Sequence, residues 1–133
     1  MGKTKSLTQL FLSAILSLYI SCSLPDEFQV DQNVFLSHAA SKTSIIVDVR
    51  TSEEYMNGHF EGCATLDFYD VDFYTKFKFI GSDVCLVLYC NDGLRSSKAL
   101  KVLKDEYGFS KIFILRGGIN CWPDISVYLV NDQ

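Results

Sequence analysis

Cys90 stands in Cys90-Asn91-Asp92-Gly93-Leu94-Arg95-Ser96, a stretch with a nucleophile, a glycine and a fixed cation close together. The apolar run Val84 to Tyr89 precedes it, and Ala99, Leu100, Val102, Leu103 and Tyr107 recur behind it at helical spacing. A thiol placed where a strand ends and a helix begins meets unpartnered amide N–H groups and the positive end of a helix dipole. Converging turn amides add to that field, and Gly93 lets the backbone take a conformation that a side chain opposes. Such surroundings favour the thiolate over the thiol, and Arg95 supplies a further positive charge. The expected chemistry is nucleophilic attack by Cys90 on an anionic or polar sulfur-bearing substrate. Against this stands the ordinary reading of a cysteine as one more small buried hydrophobe; the strand–Cys–Gly–Arg–helix context favours chemistry.

The elements that must hold this turn are legible as alternating strands and helices. Val84 to Tyr89 and Ser44 to Val49 read as strands buried on both faces, and Lys111 to Leu115 as a third. Cys63 to Phe68 reads as an edge or intermediate strand. Thr51 or Ser52 followed by Glu53-Glu54 marks the start of a short helix that stops near Asn57-Gly58. Helices are also expected over 33–40, over 69–79 with a face of Val71, Tyr74, Phe77 and Lys78, and over 119–122 after the tight turn Gly117-Gly118. The fold class is therefore α/β: one domain with a central parallel sheet of about five strands flanked by helices and joined by right-handed crossovers.

Three segments together resemble the rhodanese-like domain family. They are the Cys90 to Ser96 loop, the run from Ile45 through Asp48, Arg50, Glu54, Gly58 and His59 to Cys63, and the closing Leu115-Arg116-Gly117-Gly118-Ile119-Asn120-Cys121-Trp122. Their order is that of the family, and they cover about Asp26 to Pro123. The resemblance implies sulfur transfer through a Cys90 persulfide. Sulfur would come from thiosulfate or a persulfide and pass to a thiol or cyanide, with no cofactor. It also implies that the amides of Asn91, Asp92, Gly93, Leu94, Arg95 and Ser96 hold the substrate's charge, and that Arg95 steers an anionic donor. Asp48 and Arg50 would brace the loop. His59 would be structural, packing beside Gly58. Trp122 would anchor the core. Phosphatases of the same fold enclose one residue more between the cysteine and the arginine, so phosphate-ester hydrolysis is not expected. An inward-pointing Asp92 would oppose an anionic donor and favour a persulfide. The reading from a different class is a non-catalytic binding or sulfur-carrier module that needs a partner protein.

Composition bounds the rest. The chain has 133 residues, 48% of them hydrophobic, with ten Phe, which suits a packed core rather than disorder. Its formal net charge is −4, and without a Lys/Arg run nucleic acid is not an expected partner. The five cysteines, Cys22, Cys63, Cys85, Cys90 and Cys121, lack metal-ligand spacing, so no metal is expected. Cys63, Cys85 and Cys121 sit beside apolar segments and read as buried thiols, with a disulfide among them left open. His38 reads as a surface residue. A monomer or weak dimer is expected.

Residues 1–23 have the layout of an export signal: Lys3 and Lys5, an uncharged apolar stretch from Leu10 to Ile20, then Ser21-Cys22-Ser23. Cleavage after Ser21 or after Ser23 fits. Tyr19-Ile20-Ser21-Cys22 also resembles a bacterial lipoprotein box, which would lipidate Cys22, and an uncleaved anchor is a third route. The expected location is periplasm or cell envelope, with a lipid anchor through Cys22 on the second route. The remaining segments are expected to be a linker over 24–32, the domain over 33–126 and a tail over 127–133.

Overall fold

The computed structural model describes residues 24–131; the expected export signal over 1–23, with Cys22, lies outside the described residues. From a 3-10 turn at Asp26–Phe28 the chain runs through β1 (Gln29–Val30), α1 (Gln32–Ala39), β2 (Ser44–Asp48) and α2 (Ser52–Met56). It continues through β3 (His59–Phe60), β4 (Ala64–Thr65), α3 (Phe73–Lys76), β5 (Cys85–Tyr89), α4 (Leu94–Asp105), β6 (Ile112–Leu115) and β7 (Leu129–Val130). The main sheet has five strands in the order β1-β6-β5-β2-β4, and every neighbouring pair is parallel.

β5 lies at the centre because it can be buried on both sides. Alternation along the strand sends Leu86, Leu88 and Cys90 into one apolar cluster with Val47, Phe73, Phe77, Ala99, Leu100 and Leu103. Val87 and Tyr89 enter the other, with Phe35, Phe60, Leu115 and Trp122. Cys90 therefore belongs to the face covered by α4. Trp122 is buried in the opposite cluster, edge-on to Phe35 with ring centroids 5.9 Å apart.

The domain extends at both ends beyond 33–126. Residues 24–32, expected to be a linker, supply β1, which adds to β6 in the register Gln29↔Ile114 and Val30↔Leu115. In the expected tail, β7 pairs antiparallel with β3, Val130 opposite His59 and Leu129 opposite Phe60. Two-residue strands show no periodicity, so they are recognisable only from their partners.

The aromatic segment also differs from expectation. Val71 is fully exposed, and the buried pair is Phe73 and Phe77, one turn apart, on a single α-turn that tightens to a 3-10 turn at Phe77–Phe79. Lys76 keeps the outer side wet by pairing with Asp70 at 3.0 Å and Asp72 at 3.2 Å.

Cys63, Cys85, Cys90 and Cys121 are all free thiols, so no disulfide joins them. Cys121 is exposed rather than buried, because the 3-10 turn that carries it turns Ile119 inward instead. Among the described residues no helix is long and apolar enough to cross a membrane.

Candidate active site

The loop after β5 is built on its own backbone. Gly93 is the N-cap of α4 at φ 88°, and its carbonyl accepts from the Ser97 amide at 3.0 Å, the Ser97 hydroxyl at 2.6 Å and the Ser96 hydroxyl at 3.1 Å. That anchoring turns the Gly93 N–H back to the Cys90 sulfur, 3.2 Å away. The buried Ser96 Oγ lies 3.5 Å from the same sulfur. Cys90 has no exposed surface.

The remaining loop residues divide their contacts. Asp92 is exposed, but its Oδ1 accepts the Leu94 amide at 2.9 Å and lies 3.7 Å from Cys90 Sγ, placed to accept the thiol proton. Asn91 donates its side-chain amide to Glu54 Oε1. Leu94 is exposed. Arg95 does not present a free charge to the sulfur; its Nη1 and Nη2 bind Glu54 Oε2 and Oε1 at 2.6 and 2.9 Å as a two-pronged pair. The guanidinium also lies over the Tyr69 ring, 5.9 Å from its centroid.

Glu54 is the site residue that sequence reasoning missed. It is the last member of a capping box: Thr51 Oγ1 accepts the Glu54 amide at 3.3 Å, and Glu54 Oε2 accepts the Thr51 amide at 2.8 Å. Glu53-Glu54 after Thr51 or Ser52 marked Glu54 as part of the first turn of α2; nothing in that pattern showed that the carboxylate would bind Asn91 and Arg95. The Arg95 hydrogen bonds, opposed by partial burial and aided by Thr51, hold the Glu54 carboxyl down to about 2, against an ordinary 4.5. The same pairing holds Arg95 well above its ordinary range.

Because the folded-state pKa is depressed, the stabilisation is present in full above about 4.5 and is lost as the pH falls through about 2. With 29% of the Glu54 side chain exposed, solvent screening holds the effect to about 1–2 kcal/mol. Glu54→Gln is expected to lower the urea midpoint at pH 7 and to flatten its decline between pH 5 and 2. A variant that declines as steeply as the wild type would show that the pair adds nothing.

Asp48 and Arg50, expected to brace the loop, reach it through Tyr89, the residue before Cys90. Arg50 Nη2 donates to Asp48 Oδ2 at 2.7 Å and to the Gly58 carbonyl at 2.7 Å. The Tyr89 hydroxyl donates to Asp48 Oδ2 at 2.7 Å and accepts the Phe60 amide at 3.3 Å. Burial, with Asp48 adding to it, pushes the Tyr89 phenol far above its ordinary value, so it remains a neutral donor. Burial works against the Arg50 charge, but the Asp48 hydrogen bond and charge outweigh it and hold Arg50 above its ordinary value. The network locks the ends of β2 and β5 to β3.

His59 is buried in β3, stacked on Tyr55 at 3.7 Å between centroids, with its Nδ1 3.1 Å from the Tyr55 carbonyl oxygen. His38 is half-buried at the other end of the sheet, its Nδ1 2.9 Å from Ser44 Oγ and 3.8 Å from Cys85 Sγ.

The loop is closed from behind by the glycine pair. The Ile119 amide donates to the Cys90 carbonyl at 3.0 Å and the Asn120 amide to the Asn91 carbonyl at 2.8 Å. In front lies a cleft of about 430 Å³ lined by Thr51, Glu54, Phe68, Tyr69, Asp92 and Arg95, together with Leu94 and Lys98. Its volume suits a small ligand.

The sequence matches the family described as rhodanese-like domain over residues 31–124. Thiosulfate sulfurtransferase GlpE of Shewanella oneidensis is 30% identical over 95 residues, covering 69% of this chain and 88% of that protein. The tRNA uridine(34) hydroxylase of Buchnera aphidicola is 32% identical over 87 residues, covering 59% of this chain but only 26% of that much longer protein. The solution structure of a rhodanese-like domain from Anabaena superposes with a TM-score of 0.66 at 22% identity, covering 79% of this chain and 80% of that one.

Proposed function

This chain belongs to the rhodanese-like domain family, and from that premise we propose that it is a sulfurtransferase carrying sulfane sulfur as a Cys90 persulfide. The Cys90 thiolate attacks the outer sulfur of thiosulfate or of a persulfide. The donor's S–S bond breaks, and sulfite or a thiolate leaves. A thiol or cyanide then attacks the outer sulfur of the Cys90 persulfide and regenerates the thiolate. The observation that carries this reading is the Gly93 N–H held 3.2 Å from Cys90 Sγ at the start of α4, a donor already in place for negative charge on sulfur. The similarity to the GlpE sulfurtransferases, at about 30% identity over most of their length, supports it.

The chain would act outside the cytoplasm, its first residues serving as an export signal and, if the lipoprotein route operates, Cys22 as a lipid anchor. One measurement tests both parts: intact mass and N-terminal sequence of the protein recovered from cells, before and after treatment with thiosulfate or a persulfide. The expected result is a truncated N-terminus and a gain of about 32 Da, one sulfur atom, on the wild type and not on Cys90→Ser. No gain with either donor points instead to a binding module, and an intact Met1 rules out cleavage after Ser21 or Ser23 and leaves the uncleaved anchor as the remaining export route.

A further inference from the structure

Asp92 has two relations that a helix cap alone does not require. Its Oδ1 accepts the Leu94 amide at 2.9 Å, an ordinary local turn at the start of α4. The same oxygen stands 3.7 Å from the sulfur of Cys90, and Asp92 is the solvent-facing side chain among the sulfur's polar contacts, since Ser96 and Gly93 are buried. It also lines the cleft in front of the loop. A donor entering from that cleft therefore meets a carboxylate before it meets the thiol. The amide next in line after that of Gly93 is already taken by Asp92, and the guanidinium of Arg95 is taken by Glu54. Lys98 is the other cation lining the cleft, and its side chain is exposed.

We infer that Asp92 is the specificity-determining residue of this loop: it disfavours dianionic donors such as thiosulfate and accepts the Cys90 proton when sulfur arrives from a hydropersulfide, R–S–SH. The inference rests on the sulfur-transfer reading of Cys90. The step balances without any oxidant. The Cys90 S–H proton passes to Asp92 Oδ1. The thiolate attacks the outer sulfur of R–S–SH, the donor's S–S bond breaks, and the leaving R–S⁻ takes the proton from Asp92. The products are the Cys90 hydropersulfide and R–SH. With thiosulfate the leaving group is sulfite, and both the incoming and the leaving species are anions held beside a carboxylate, which like-charge repulsion disfavours.

Asp92→Asn separates charge from capping, because an asparagine side-chain oxygen can still accept the Leu94 amide. Sulfur loading of Cys90 is measured by intact mass with thiosulfate and, separately, with glutathione hydropersulfide. The expected result is a wild type that prefers the hydropersulfide, and a variant whose thiosulfate rate rises at least about tenfold while its hydropersulfide rate falls by about tenfold. The wild-type thiosulfate rate should also rise with added salt, and that rise should be absent in the variant. If Asp92→Asn lowers the melting temperature, Asp92→Ser, which keeps a capping oxygen, gives the same comparison. An unchanged donor ratio in a stable variant, or a wild type that prefers thiosulfate, overturns the inference and leaves the sulfur-transfer reading standing. Loading at Cys90 from neither donor overturns both.

Discussion

Gly118→Ala is expected to displace the Cys90 loop and to destabilise the domain by about 3–5 kcal/mol. Gly118 sits at φ 66°, ψ −172°, a region open to glycine and costly for any other residue. A Cβ there would lie 2.4 Å from the Asn91 carbonyl oxygen and 2.6 Å from the Asp92 nitrogen. Both are backbone atoms, and neither can rotate away. Relief must come from moving the loop off the turn, which breaks the bonds from Ile119 to Cys90 and from Asn120 to Asn91. Gly62→Ala is the control: Gly62 also has positive φ, at 73°, but nothing lies within 4 Å of its added Cβ, so it carries only the conformational cost, about 1 kcal/mol. The difference between the two melting temperatures reads the clash. Equal losses would show that the loop tolerates the displacement. Sulfur loading of Cys90 is expected to fall at least about tenfold in Gly118→Ala and to be unchanged in Gly62→Ala, since loss of a near-attack geometry is costly to rate.

Asp48→Ala is expected to cost about 3–5 kcal/mol, a large share of the stability of a domain this size. Asp48 is fully buried and the Arg50 side chain is 5% exposed, so removing the carboxylate leaves a guanidinium in the interior without its counter-charge. The Tyr89 hydroxyl loses its acceptor at the same stroke. A fall of roughly 15–25 °C in melting temperature is expected for a domain of about 110 residues. Arg50→Met in the Asp48→Ala background should recover part of that loss, because it withdraws the stranded charge and keeps an apolar stem of similar length. A double variant no more stable than Asp48→Ala would show that lost packing, rather than the unpaired cation, dominates. Activity should follow stability in this series, since the network touches Tyr89 and not the sulfur.

These two sites and Glu54 hold the loop from three directions. The turn at Gly117-Gly118 closes it from behind, the buried Asp48–Arg50–Tyr89 network fixes the strand it leaves, and the capping carboxylate of α2 takes its arginine. Their separation in the chain, from Asp48 to Asn120, explains why a loop so short can hold one geometry.

Local pattern in the sequence was enough to establish the α/β class, the position of Cys90 between β5 and α4, and the start of α2 at Thr51 or Ser52 with acids in its first turn. Each rests on residues within one or two turns of one another, where periodicity and capping act directly. The burial of Leu86 to Tyr89 on two faces was legible for the same reason, since an unbroken apolar strand has no wet side to offer, whereas Val84 and Cys85 at its start are only partly buried. Tertiary structure alone decided the rest. Whether Arg95 faces the sulfur or a carboxylate depends on where α2 docks. Whether Gly118 is a turn or a wall depends on what lies against it. The edge strands Gln29–Val30 and Leu129–Val130 exist only because β6 and β3 offer them unpaired backbone groups. The placement of the exposed Asp92 beside the Cys90 sulfur belongs with these: a residue's type is written in the chain, but the direction of its charge is set by the folded turn.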